Sequence, residues 1–293
     1  MSGTGGTLRR IALGALALVL LAAIWEGYKA VGPAGGVDLA GLQLLPRTTD
    51  LAMPHIHEMI ARALEPVNSS AGSAPVWTSV LLAALSSLGT ASVGLLLGAV
   101  VGITLALVMQ RLPIAETAML PWLVLSQTVP LIALAPLIVS WGGRVQIGAL
   151  EWERWMSVAV IAAYLAFFPI AIGALRGLQS PDRNHTELFH SYAAGWWRTL
   201  LYLRLPASVP YLLPALRLGA ASAIIGTVVA EVSTGAKGGI GRLIIEYAQS
   251  GSSDPAKAYS PIAAAVLMGL AAAGIVALAG LGVKRYRRNE VTA

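Results

Sequence analysis

The sequence has 293 residues, 56% of them hydrophobic and only 12% charged, with no cysteine and a formal net charge of +6. A soluble domain usually carries about 25% charge, and here residues 66–110, 117–143, 155–175 and 258–283 carry none at all. Each gap exceeds the roughly 20 residues that cross a hydrocarbon core. A soluble globular fold is therefore excluded, and the alternating segments of a membrane barrel are absent. The missing cysteines exclude disulfides, thiolate metal sites and a cysteine nucleophile. In such a chain cations mark the cytoplasmic side of a bilayer, so the positive charge is not read as nucleic-acid binding.

In chain order, the sequence predicts six membrane-spanning helices over about 9–31, 77–109, 117–140, 155–177, 208–231 and 259–283, an all-α polytopic protein. The first follows Arg9-Arg10 and is read as retained rather than cleaved, with Glu26 interrupting its outer end. Residues 32–76 form an outer loop, rich in Pro, Gly, Ser and Asn at both ends. Within it, 51–64 predicts a short surface helix with Ile56, Met59, Ile60, Ala63 and Leu64 on one side. His55 and His57 lack further ligands close by and read as surface histidines.

Gly89, Gly94, Gly98 and Gly102 give the second span a flat face for close helix approach. Prolines in the later spans predict kinks, and beside the one at Pro130, Gln127 and Thr128 are candidates to line a solute path. Residues 142–154 and 233–258 are further outer loops. Arg217 lies in the first half of the fifth span and is expected to snorkel to the cytoplasmic surface or pair with the polar segment before it. Glu231 ends that span, either as an acid lining the path or as a hydrated helix end. The domains are thus 1–31, the tail and first helix; 32–76, the outer loop; 77–283, the membrane core; and 284–293, a basic tail.

Six spans put both termini on one side. Arg9, Arg10, Arg111, Arg176, Arg183, Arg198, Arg204 and the tail Lys284-Arg285-Tyr286-Arg287-Arg288 make that side the cytoplasm. The same side holds a polar island between spans four and five, residues 180–206. Ser180-Pro181 predicts a helix start there. Trp196, Trp197, Leu200, Leu201 and Leu203 supply apolar anchors, and Glu187 and Arg198 supply charges. Trp and Arg are favoured anchors at protein interfaces, so the island predicts a dock for a soluble partner.

The island's pattern is Glu187, then Ala193, then nine residues, then Leu203-Arg204-Leu205-Pro206. In spacing and position this resembles the loop of permease subunits of binding-protein-dependent ABC importers, where Glu-Ala-Ala, three residues, Gly, nine residues, Ile, one residue and Leu-Pro recur. The departures are Leu188-Phe189 for the two alanines, Ala193 for the glycine and Leu203 for the isoleucine. Gln127-Thr128-Val129-Pro130-Leu131, Trp141-Gly142, Phe167-Phe168-Pro169-Ile170, Leu216-Arg217, Val229-Ala230-Glu231 and Gly238-Gly239-Ile240-Gly241 are similar to the branch for sulfonates, taurine, nitrate, riboflavin and pyrimidine precursors. Residues 144–155 look longer than that branch usually has.

The resemblance implies the type I importer permease fold in a bacterial plasma (inner) membrane, with coupling helices in the island. It implies a second permease chain, identical or homologous, two ABC ATPase subunits, and an extracytoplasmic binding protein that delivers a small polar solute. The coupling residues it implies are Glu187, Ala193, Gly195, Trp196, Trp197, Arg198, Leu203, Leu205 and Pro206; Gln127, Thr128, Pro130 and Glu231 remain the path candidates. The chain itself is expected to be no enzyme and to hold no cofactor or metal, with ATP and magnesium on the ATPase partner. A phosphate-binding loop needs Gly-Lys-Ser/Thr, and none of Lys29, Lys237, Lys257 and Lys284 follows a glycine. The alternative is an ion-gradient-driven secondary transporter. It would explain Glu231, but it leaves the island without purpose and finds no internal repeat.

Overall fold

A computed structural model describes residues 4–39, 42–70, 72–144, 146–147 and 150–281. The basic tail expected at 284–293 lies outside the described residues. Eleven helices dominate the described residues: α1 (Thr4–Val31), α2 (Ile56–Leu64), α3 (Val76–Arg111), α4 (Pro113–Ser126), α5 (Leu131–Gly142), α6 (Arg154–Leu178), α7 (Arg183–Ser191), α8 (Trp196–Thr199), α9 (Leu205–Thr234), α10 (Ile240–Gln249) and α11 (Pro255–Leu281). Two antiparallel hairpins, β1 (Val37–Leu39) with β2 (Leu42–Leu45) and β3 (Gln146–Ile147) with β4 (Leu150–Glu151), sit in segments read from sequence as plain loops.

Among the described residues five helical segments are long and apolar enough to cross a membrane, or six if the bent pair α4–α5 counts as one span. The third expected span is thus not one helix. Its two halves meet at 98° across Gln127–Pro130. Pro130 caps α5 with an extended backbone, and the residue before a proline is itself driven out of the helical region. The fifth span also begins earlier than expected, because a continuous helical run covers Trp196–Thr234. It passes through a π-helical turn at Leu200–Arg204, where the Leu205 N–H reaches back to the Leu200 carbonyl. Pro206 has no N–H to continue the regular ladder, and the wider turn accommodates that gap.

The chain divides into two compact units, residues 1–80 with 244–262, and residues 81–243 with 263–293. In the first unit, polar side chains of α1 hold the loop that follows it. Lys29 is buried and pairs with Asp50 at 2.6 Å, an interaction that holds the Asp50 carboxyl below its usual range. Glu26 receives the Ile56 N–H at 2.8 Å and lies 2.7 Å from His55 Nδ1. The residue that interrupts the first span therefore anchors the start of α2. His55 is engaged there and stacks near His57. Helix α2 covers Ile56–Leu64, shorter than the expected 51–64, and Ile60 and Leu64 remain exposed. Arg62 binds Asp254 at 2.7 Å, and Lys257 donates to the Val67 carbonyl at 2.9 Å.

In the second unit, α6 and α9 form the most extensive helix pair. Ala162, Ala166, Ile170 and Ala223 pack into one buried cluster along it. A second cluster of Ala106, Met109, Ala174, Leu175, Leu178 and Leu200 closes the end nearest the island. Helix α3 joins through Gly94, Gly98 and Gly102, which lie against the backbone of α6 at Ala159, Ala163 and Phe167 respectively. Gly89, the fourth of the expected stripe, faces open space. A Cβ at Gly98 would lie 2.9 Å from both the Ala163 carbonyl and the Ala166 methyl. Gly98→Ala should therefore cost about 1–3 kcal/mol, read as a lower thermal midpoint in detergent, whereas Gly89→Ala should cost nothing measurable.

Candidate functional site

The island folds as an elbow on the end of the α6–α9 pair. Its first arm is α7. The N-cap is Asp182, whose carboxylate accepts the Asn184 N–H at 3.1 Å, rather than the expected Ser180. Ser180 instead closes α6, donating to the Gly177 carbonyl at 2.8 Å. No residue of α7 is buried. On its open face Arg183 pairs with Glu187 at 2.7 Å, with both side chains exposed.

The bend lies at Tyr192–Gly195. Ala193 holds a left-handed backbone, φ +52°, and is the only non-glycine residue to do so among the described residues. Its N–H bonds to the His190 carbonyl at 2.9 Å, and the Ala194 N–H bonds to Phe189 at 3.0 Å. This is the helix-ending geometry in which glycine is usual, because a Cβ crowds the carbonyl there. The residue that departs from the family pattern therefore sits where that pattern's glycine has a physical reason.

The second arm is the start of the Trp196–Thr234 run. Gly195 caps α8. Trp196 packs against the cluster of Ala106, Met109 and Leu178, with the Arg111 guanidinium 4.9 Å above its ring. Leu200 is buried in the same cluster. These two expected anchors thus point into the chain's own core. Trp197, Arg198 and Leu205 are exposed; Leu203 and Pro206 are half-buried. Leu188, Tyr192, Leu201 and Tyr202 are also exposed, Tyr192 at 79%. The sequence reading overlooked both tyrosines. Their signal was an aromatic ring in a polar segment.

The path candidates separate. Gln127 lines a cavity of about 540 Å³ with Phe168, Pro169, Arg176, Tyr211 and Ser222, between α6 and α9. Thr128 turns back on its own backbone, donating to the Leu125 carbonyl at 2.8 Å, and Pro130 is exposed at the break. The break is secured by Tyr164, whose hydroxyl donates to the Ser126 carbonyl.

Glu231 lies at the opposite end of α9 from the elbow. It is buried rather than hydrated, which removes the reading of a solvated helix end. Ser87 Oγ lies 2.7 and 2.8 Å from its two carboxylate oxygens, and the Gly241 N–H donates to Oε2 at 2.9 Å. Ser87 in turn accepts the Ile240 N–H at 2.8 Å. A Cβ on Gly239 would overlap the carboxylate. The glycines of 235–241 therefore let the turn close onto Glu231, and α3, α9 and the start of α10 are joined there. One side of this clamp borders a second cavity, of about 320 Å³, shared with Ser86, Thr90, Glu153, Arg154 and Lys237. Arg217 makes no bond to the island among the described residues. Its Nη2 lies near Gly280, and its Nε has no hydrogen-bond partner.

Residues 94–288 match the family described as the inner membrane component of binding-protein-dependent transport systems. The chain is 38% identical over 156 residues to the formylaminopyrimidine transport permease protein ThiX of Halalkalibacterium halodurans, covering 53% of this chain and 58% of that one. It is 34% identical over 129 residues to the riboflavin transport system permease protein RibX of Chloroflexus aurantiacus, 44% of each chain. It is 27% identical over 190 residues to the taurine transport system permease protein TauC of Escherichia coli, covering 64% of this chain and 62% of that one. The chain thus spans about half the length of the first two relatives and under two thirds of the third. With more than half of its residues matched, the chain belongs to the family of inner-membrane components of binding-protein-dependent transport systems.

Proposed function

We propose that this chain supplies one half of the translocation pathway of an ATP-driven importer and couples to a separate ATPase subunit through the loop 180–206 that forms the elbow. The observation that carries the reading is the elbow itself. A bend built around a strained Ala193 presents Glu187, Leu188, Tyr192 and Trp197 outward, while Trp196 and Leu200 fix the bend to the helix core. Exposed aromatic and aliphatic groups at a rigid corner suit insertion into a groove on a partner. The rigid connection matters for coupling. A push on the elbow would travel along the continuous Trp196–Thr234 helix, some 58 Å at 1.5 Å per residue.

The pathway would run along the α6–α9 pair, where the cavity holding Gln127 is large enough for a small polar solute. Delivery would come from a binding protein outside, and a second permease chain, identical or homologous, would complete the wall. Two ATPase copies would bind ATP and magnesium on the cytoplasmic side, where both termini would also lie. The names of the relatives point to solutes of the size of a pyrimidine, a flavin or taurine. The ion-gradient alternative depends on Glu231 as a titrating acid, yet its carboxylate is engaged by Ser87 and Gly241.

The test is co-purification of the chain with its ATPase partner from a bacterial membrane, followed by ATP hydrolysis in proteoliposomes. Tyr192→Ala/Trp197→Ala should lose at least 10-fold in partner recovery, the effect of a pair of interface anchors, with the chain still inserted. Undiminished recovery and hydrolysis, or solute uptake that proceeds without ATP, would overturn the reading.

A further inference from the structure

Arg144, Trp152 and Arg154 form part of the wall of a cavity of about 410 Å³ at the end of α5 and α6. Its polar wall is Ser140, Arg144, Trp152, Arg154 and Ser157, and among the described residues no carboxylate lines it. Among the described residues neither guanidinium has a side-chain hydrogen bond or ion pair. Arg62 and Arg183, by contrast, pair with Asp254 and Glu187. Glu153, next to Arg154 in sequence, is engaged by the Trp155 indole N–H at 3.1 Å.

The wall is also fixed in place. Trp152 donates its indole N–H to Ser157 Oγ at 2.8 Å, and its ring occupies the space that a Cβ on Gly142 would need. Two arginines opening into a preformed pocket, with hydroxyls beside them and no carboxylate among its described lining residues, match the needs of an oxyanion. Guanidinium forks bind carboxylate, sulfonate or phosphate oxygens in pairs. The volume exceeds that of a bare inorganic anion and falls within the range of small-molecule pockets. The neighbouring cavity shares Arg154 but contains Glu153 and Glu231, so it lacks this selectivity for negative charge.

We propose that this pocket binds the oxyanion head group of a small organic acid or of an anionic lipid, held between Arg144 and Arg154. The proposal is independent of the coupling role of the elbow. It is tested on the full-length protein in detergent, with sodium sulfate as the probe against sodium chloride at matched ionic strength. Sulfate should raise the thermal midpoint in a saturable way, by about 2–4 °C. Arg144→Gln/Arg154→Gln should abolish the saturable part and leave only the linear salting effect that sulfate has on any protein. Lys237→Gln, in the neighbouring cavity, should retain the full shift. Should the double glutamine variant not fold, Arg144→Lys/Arg154→Lys keeps the charge and should weaken sulfate binding at least 10-fold by removing the forks. In nanodiscs, loss of the sulfate shift with phosphatidylglycerol but not phosphatidylcholine assigns the pocket to lipid. Its persistence in both assigns it to a free organic anion. An identical shift in the wild-type and the folded arginine variants, or no saturable shift at all, overturns the site.

Discussion

Glu231→Ala is expected to unfasten the turn 235–241 and to lower the thermal midpoint of the detergent-solubilised protein by several degrees. The carboxylate is buried and joins three segments through Ser87 and the Gly241 N–H. Removing it strands the Gly241 N–H and the Ser87 hydroxyl away from water. Each stranded group costs on the order of 1–3 kcal/mol, and the vacated volume adds to that. Glu231→Gln should be much milder, because the amide oxygen can still accept from Gly241 and its NH₂ can donate to Ser87 Oγ. Ser87→Ala should fall between them, leaving the Ile240 N–H without its acceptor. Hydrogen exchange over 235–243 should follow the same order. If alanine and glutamine at 231 prove equally stable, the clamp is not what closes the turn, and an acid lining the path becomes the better account of Glu231.

The same residue shows what a sequence conveys and what it withholds. An acid at a span end, followed by Gly238-Gly239-Ile240-Gly241, was legible as a special position. Its partner was not, because Ser87 lies 144 residues away on another helix. Charge-free gaps located most spans, since the cost of burying charge in lipid is a local property of sequence. The 98° break between α4 and α5 was legible only as a kink at Pro130; the angle depends on what packs around it, including the Tyr164 hydroxyl on the Ser126 carbonyl. In the glycine stripe, spacing alone did not say that Gly94, Gly98 and Gly102 meet α6 while Gly89 does not. In the island, residue type suggested anchors, but facing is tertiary: Trp196 turns inward under Arg111 and Trp197 turns outward. The departure at Ala193, visible as a missing glycine, becomes a strained backbone only once the bend is seen.

That strain makes opposite substitutions at one position informative. Ala193→Gly should relieve about 1 kcal/mol, the penalty of a left-handed alanine, less the greater freedom glycine has in the unfolded chain. Its expected signature is slower hydrogen exchange through 186–196 with ATPase coupling preserved or improved. Ala193→Pro should do the reverse. Proline fixes φ near −65°, whereas this position needs +52°, and the substitution also removes the N–H that bonds to His190. The elbow must then open or α7 must unwind. Trp196 and Leu200 would stay in the core, so the chain should still insert and remain folded. On the proposed function, co-purified ATPase should fall at least 10-fold and stimulated hydrolysis should disappear, because Leu188 and Tyr192 would lose their fixed relation to Trp197. A proline variant that retains both its ATPase and its hydrolysis would show that the partner does not read the shape of this bend.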